Sequence, residues 1–238
     1  MDLQDRVALV TGGTGALGST IVLDLLASGA RVAATYTVES EWHHLSSRAG
    51  AARAQLKGIP ADLTEADEVR TAVRSLQNTH GRVDYLLAIA GGFAAGKIYE
   101  TSEAVWDRMM DLNLKTLFSV LRPVIPIMIE QNFGRIVTVS SGALLNGGGA
   151  GIAAYAVSKA AVRYLSETLA NEVKGHNIRV HCLMPGTMDT EANRRAMPDA
   201  DRSQWVKTEQ VARVVHGLLV DSADPPLVVP VLQPGGPA

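Results

Sequence analysis

A chain of 238 residues can bury one large core, and 47% hydrophobic with 19% charged side chains is the balance of an ordinary globular domain. Its 22 basic and 24 acidic residues, net −2 without long blocks of either sign, exclude the charged face of a nucleic-acid or membrane-surface binder. The one cysteine, Cys182, has no partner for an internal disulfide, and no basic-then-apolar leader opens the sequence, so a soluble cytoplasmic protein is expected.

Short apolar runs alternate with helical patterns from end to end. Arg6–Val10, Arg31–Thr35, Gly58–Ala61, Val83–Ala90, Arg135–Ser140, Ile178–Leu183 and Leu227–Val231 read as strands, most of them continuous and rich in β-branched residues, as strands covered on both faces are. Apolar residues at three- and four-residue spacing lie between them, as in Ile21, Leu25, Leu26 and in Val162, Leu165, Leu169, Val173. Seven strands with helical crossovers predict an α/β domain built on a doubly wound, seven-stranded parallel sheet. No repeat, low-complexity tract or linker divides it, so residues 1–238 form one domain. The aperiodic stretch after the sixth strand, about 187–205, is placed to act as a substrate lid.

The first strand runs into Thr11-Gly12-Gly13-Thr14-Gly15-Ala16-Leu17-Gly18, and a helix follows at once. Glycines here allow the tight turn and let backbone come close to a pyrophosphate at the helix N-terminus. The pattern resembles the Thr-Gly-x-x-x-Gly-x-Gly motif of the short-chain dehydrogenase/reductase family, with Ala16 in place of the middle glycine and Gly15 one place earlier. Gly-x-Gly-Ala-Leu-Gly is similar to the dihydropteridine reductase branch of that family. So is the stretch from Asp189 to about Trp205, and so is Ala88, which stands where most members carry an asparagine. The resemblance covers the whole chain and implies a Rossmann-type fold and an NAD(P)-dependent oxidoreductase.

Residues carried over by that resemblance divide into two groups. Those expected at the cofactor are Gly12, Thr14, Gly15, Ala16, Leu17 and Gly18 of the turn, Tyr36 ending strand two, and Asp62 and Leu63 after strand three. Ala90 and Gly91 after strand four, with Pro185, Gly186, Thr187, Met188 and Thr190 after strand six, complete the set. Asp62 reads equally as a helix-cap contribution near Thr64. Tyr36 stands where an NAD-preferring member would carry aspartate, and no arginine or lysine follows it. The missing carboxylate leans the expectation toward NADP(H) over NAD(H), with Glu39 able to reach back.

The second group is catalytic. Tyr155 and Lys159 lie four apart on one helix face, within reach of each other's field. A free tyrosine titrates near pH 10, so working as a base near pH 7 needs about three units, roughly 4 kcal/mol, of differential stabilisation. In the family a serine ending strand five orients the substrate; Ser141 matches it, with Ser140 the alternative. The interval to Tyr155 is one residue longer than usual, and the Asn146-Gly147-Gly148-Gly149 run is expected to absorb it. Asn113 matches the family asparagine that holds a water beside the lysine; it reads otherwise as a buried amide satisfied by backbone.

The expected reaction is hydride transfer between nicotinamide C4 and a small-molecule carbonyl or alcohol, with Tyr155 as acid or base and Lys159 on the ribose. Reduction of a quinonoid dihydropterin is the alternative within the class, and a non-catalytic dinucleotide-sensing regulator the alternative outside it. The resemblance implies a homo-oligomer, a tetramer, through 102–131 and 153–173. Neither nucleic acid nor membrane is expected as a partner. His43 and His44 read as solvated loop residues and not a metal site, His181 and Cys182 as core, and Met109 and Met110 as packing.

Overall fold

The aliphatic runs of the sequence become strands because each has a helix to cover either face. The computed structural model describes residues 3–145, 147, 149–220 and 225–233. In chain order it contains β1 (Val7–Thr11), α1 (Ala16–Ala27), β2 (Arg31–Tyr36), α2 (Glu39–Arg48), β3 (Leu56–Pro60), α3 (Ala66–His80) and β4 (Tyr85–Ala88). There follow α4 (Glu103–Met110), α5 (Thr116–Glu130), β5 (Gly134–Val139), α6 (Ala153–Glu172), β6 (Ile178–Pro185), α7 (Glu191–Ala196), α8 (Thr208–Val220) and β7 (Val228–Val231). All strand pairs are parallel, in the order β3-β2-β1-β4-β5-β6-β7. Every expected strand is present, and the sheet is the doubly wound one that the alternation of strands and helices predicts.

Alternate strand residues feed two cores. Ala8, Val10, Ala34, Leu87, Val137 and Leu183 meet Leu17, Ile21 and Leu25 of α1 and Val211, Val215 and Leu218 of α8. Leu9, Ala33, Leu86, Ile136 and Val180 meet Val69 and Val73 of α3, Val120 and Val124 of α5, and Val162 and Leu169 of α6. Each such side chain, when fully buried, contributes roughly 1.5–3 kcal/mol through area removed from water.

Three expectations change in detail. The fourth strand is shorter than 83–90, since beyond Ala88 the Ile89 and Ala90 amides leave the ladder and donate to the Thr11 hydroxyl at 3.1 and 3.2 Å. The helix expected over 102–131 is interrupted by a π-turn at Asp111–Lys115, between α4 and α5. The stretch Glu103–Glu130 has the length and apolarity of a membrane span, yet Leu117, Val120, Leu121 and Val124 pack on the sheet, which identifies a core helix. His43 and His44 lie on α2 and not in a loop, because the first turn of that helix starts at Glu39 directly after β2.

The glycine turn is set by steric contact. Gly12 has φ +61, and a Cβ there would sit 2.9 Å from the Ala90 backbone; a Cβ at Gly18 would sit 2.1 Å from the Gly12 carbonyl oxygen. Ala16, by contrast, opens α1 on the solvent side, so its methyl meets no strand. Replacing Gly18 with alanine is therefore expected to lower stability by about 1–3 kcal/mol through forced overpacking, whereas Ala16→Gly changes it by no more than about 1 kcal/mol. Paired chemical denaturation curves check this; equal losses would mean that the turn is not set by the Gly12–Gly18 approach.

Candidate active site

Because all seven strands run the same way, their carboxyl ends gather at one edge, and the predicted site residues meet there. The glycine turn crosses the ends of β1 and β2: the Gly13 amide donates to the Thr35 carbonyl (3.0 Å) and the Gly12 amide to the Thr35 hydroxyl (3.2 Å). Gly15 is the N-cap of α1 and no side chain caps it, which leaves first-turn amides for an anionic ligand. The Thr14 hydroxyl donates to Glu41 Oε2 (2.9 Å), and the Tyr36 ring lies parallel on Trp42, centroids 5.4 Å apart. Asp62 accepts from the Thr64 hydroxyl (2.7 Å) and amide (2.9 Å), which holds its carboxyl below the usual range; these bonds close a turn just before α3, whose N-cap is Glu65. Leu63 beside it is buried.

On the other side of β1 stand the catalytic candidates. Lys159 is buried, and its ammonium donates to the Val139 carbonyl at 2.8 Å. Burial lowers its pKa to about 8. Ser140 and Ser141 point apart, as neighbours at a strand end do. The Ser140 hydroxyl donates to the Lys159 carbonyl (2.8 Å), while Ser141 hydrogen-bonds the Tyr155 phenol. Of the two serines it is Ser141 that shares a site with the tyrosine. Of the glycine run expected to absorb the extra residue between them, Asn146 and Gly148 lie outside the described residues.

Tyr155 behaves differently from the sequence-based expectation. Its pKa is raised by burial, with the Ser141 hydrogen bond acting against that. Lysine four residues on does not lower it, because the long side chain of Lys159 reaches across to β5 instead of lying along the helix. The phenol is thus protonated at neutral pH, the form a general acid needs. Phe93, in the loop after β4, meets the Tyr155 ring edge-on at 4.9 Å while remaining 63% exposed. This residue was not picked out in the sequence; its only signal there is an aromatic residue two places after Gly91.

Asn113 sits at the centre of the π-turn, a device that re-aims one side chain without breaking the helix. Its amide donates to the Gly92 carbonyl (3.1 Å) and to Ser158 Oγ (3.0 Å), and its oxygen accepts from the Gly92 amide (2.9 Å). The asparagine thereby braces the Gly91-Gly92 turn, and a Cβ on Gly91 would strike it at 2.5 Å. After β6, the Gly186 amide donates to the Val231 carbonyl (3.0 Å) and Met188 bridges to Val206. The Thr190 hydroxyl caps α7 by accepting from the Asn193 amide at 3.2 Å. Gly142 lets this loop approach Ser141, since a Cβ there would lie 2.9 Å from the Pro185 carbonyl oxygen. It too went unnoticed in the sequence.

Comparison with known proteins agrees with this geometry. A short chain dehydrogenase family model matches residues 6–201. The 3-oxoacyl-[acyl-carrier-protein] reductase FabG of Thermotoga maritima is 30% identical over 94% of both chains, and the acetoacetyl-CoA reductase of Acinetobacter sp. is 35% identical over 77% of this chain and 74% of its own. Among solved structures, a short-chain type dehydrogenase/reductase from Mycobacterium ulcerans superposes with TM-score 0.90 at 28% identity, covering 97% of this chain and 90% of the other. Levodione reductase does so with TM-score 0.89 at 25% identity, covering 97% of both chains. The chain belongs to the short-chain dehydrogenase/reductase family of NAD(P)-dependent oxidoreductases.

Lys159 gives a pH signature. A lysine with a folded pKa of about 8 binds fewer protons folded than unfolded between pH 8 and 10.5, so wild-type stability gains from this group as pH rises through that window. The Lys159→Met variant lacks the gain. Its stability relative to wild type should fall by about 3 kcal/mol between pH 7 and 10.5, read as a difference of urea midpoints. A difference that stays flat with pH would mean that the ammonium is solvated.

Proposed function

We propose that the chain interconverts a small uncharged carbonyl compound and its alcohol, with Tyr155 as the acid–base residue. The observation that carries this reading is the contact of the Ser141 hydroxyl with the Tyr155 phenol at the carboxyl edge of the sheet, where the buried Lys159 ammonium also ends, on the Val139 carbonyl. A bound NADH or NADPH would supply the hydride. The rest belongs to the chain. Two hydroxyls side by side suit one carbonyl oxygen: Ser141 donates a hydrogen bond to it, and Tyr155 gives up its proton as the oxygen gains charge. In the oxidation direction the deprotonated tyrosine takes that proton back. Lys159 offers a positive field in a water-poor site and a donor for the cofactor ribose, and Asn113 keeps the Gly91-Gly92 turn in place beneath it. Glycines 12, 15 and 18 with the α1 amides suit a pyrophosphate, and Pro185 to Met188 suit the nicotinamide end.

Phe93 walls the site on one side; of the lid arginines, Arg202 lies over the Trp205 ring and donates to the Pro198 carbonyl, and the other two are paired with acids. Arg194 is forked onto Asp189 at 2.6 and 2.7 Å, and Arg195 is bonded to Glu191. These pairs support an uncharged substrate. The serine at the tyrosine supports a carbonyl over the dihydropterin alternative, and retention of both Tyr155 and Lys159 favours an enzyme over a sensing regulator.

Tyr155→Phe removes only the proton donor, so it is expected to cut kcat by 10²-fold or more while the Kd for reduced cofactor stays within about threefold. Turnover with simple ketones and diketones, followed by absorbance of the reduced cofactor, together with a binding titration, checks this. A variant keeping a tenth of the wild-type rate would overturn the role.

We also propose a homotetramer assembled through α4–α5 and α6. Of the apolar side chains on these helices, Leu117 and Leu121 are covered by the chain's own sheet, whereas Phe118, Ile129, Val157 and Tyr164 are exposed at 50%, 38%, 46% and 73%. Sedimentation at micromolar concentration should give four times the chain mass, and Phe118→Asp with Tyr164→Asp should lower it. A wild-type protein sedimenting as a single chain would refute the assembly.

A further inference from the structure

We propose that the amino edge of the sheet carries a small-anion site, between the Tyr85 hydroxyl and the Arg135 guanidinium, that takes a chloride-sized monovalent anion. The site lies at the opposite end of the strands from Tyr155 and needs nothing from the reaction proposed there. Tyr85 opens β4 and Arg135 is the second residue of β5, and the two are direct partners in the parallel register. Partners in register point to the same face, here the one covered by α1 and α8, where Tyr85 belongs to the core. Both residues are buried, at 0% and 4% exposure. Among the described residues neither the Tyr85 hydroxyl nor the Arg135 Nε finds a hydrogen-bond partner. Two orphaned groups at paired positions, one of which can only donate, call for an acceptor between them.

Charge identifies that acceptor. A buried guanidinium is ordinarily paired with an acid. Arg135 instead donates through Nη1 and Nη2 to neutral oxygens, the Gly134 carbonyl at 2.8 Å and the Asn177 carbonyl and side chain at 3.1 and 3.4 Å. Asp84, the acid of this edge, is already used: its two oxygens accept from Arg6, twice from Arg82, and from the Val7 amide. Three guanidiniums thus share one carboxylate, which Arg135 does not reach. The Phe133 ring, 4.6 Å from both the Arg6 and the Arg135 guanidinium, supplies a quadrupole and no counter-charge. Burial lowers the Arg135 pKa, and Arg179 on the next strand and Arg6 lower it further, as a positive field does. The guanidinium stays charged all the same, because it does not give up its proton in a protein. A water would satisfy Nε but leave that charge unmatched, with its own hydrogens turned toward cations. An anion accepts from both groups and neutralises one guanidinium. Both orphaned atoms are closed off from solvent, so the ligand is monatomic or nearly so, and not a nucleotide.

The test uses the full chain at fixed protein concentration, its thermal unfolding midpoint followed while chloride replaces gluconate at constant ionic strength. For a Kd on the order of 1 mM, about 0.1 M chloride should raise the wild-type midpoint by about 5 °C. Tyr85→Phe keeps the ring and removes one of the two ligating groups. Its midpoint in gluconate should match or exceed that of wild type, since an orphaned buried hydroxyl is gone, and its rise with chloride should be less than about half as large. Chloride bound elsewhere, at the glycine turn for instance, would raise both proteins alike. A wild-type midpoint indifferent to chloride overturns the site, and so does a rise of which Tyr85→Phe keeps about half or more. Diffraction from crystals grown in sodium bromide reads the site directly. An anomalous peak in hydrogen-bond contact with both Tyr85 Oη and Arg135 Nε is expected, and an ordered water there without anomalous signal would refute the anion.

Discussion

One constraint governs the rest of the molecule: seven strands run in a single direction, so every strand ends at the same edge of the sheet. Parallel pairing requires each return to cross a face, which puts helices on both sides and leaves the carboxyl edge as the place where connections open. Thr11, Tyr36, Ala88, Val139 and Pro185 end five different strands and come together there. What the chain does at that edge depends on how each connection is held. Thr11 ties β1 to the turn after β4 through its hydroxyl, Asn113 ties that turn to α4–α5, and Ser140 and Lys159 tie β5 to α6.

The buried ammonium shows what such ties cost. Among the described residues Lys159 has a carbonyl and no carboxylate as its partner, and its pKa of about 8 means that the fold carries a destabilised charge at neutral pH. A neutral side chain of similar shape would be the better structural choice. Strain of this kind is common where a site needs a charge that the core does not, and here it sits one helical turn from the tyrosine. The raised pKa of Tyr155 is the complementary feature. Burial keeps the phenol protonated and ready to donate, with the Ser141 hydrogen bond pulling the other way.

Departures from the usual family pattern are absorbed locally. Ala16 needs no compensation, because its side chain is exposed at the start of α1, whereas Gly12, Gly13 and Gly18 of the same turn lie in tight contact. Ala88 cannot brace the turn after β4 as an asparagine would, and that turn is held from two other directions, by the Thr11 hydroxyl and by the Asn113 amide. The π-turn at Asp111–Lys115 is what lets Asn113 face inward on a helix whose other positions follow the usual period.

Elements whose stability is local were legible in the sequence. Seven β-branched runs, the glycines of the β1–α1 turn and the Tyr155–Lys159 helix follow from patterns within a few residues, and they determine the fold class and the kind of cofactor. The family resemblance added Ser141 and Asn113, which no short-range pattern would have linked to residue 155. Tertiary structure alone decided the rest, since it depends on contacts between segments far apart in the chain. Which serine meets the tyrosine was settled by the packing of β5 on α6, where Ser140 is tied to the Lys159 carbonyl. The direction of the tyrosine's pKa was settled by burial in the folded chain, where Phe93, 62 positions earlier in the sequence, meets its ring. The lysine's reach to Val139 and the fold-back of Glu41 onto Thr14 are contacts that linear spacing does not encode, because spacing records which residues share an element and not which elements meet.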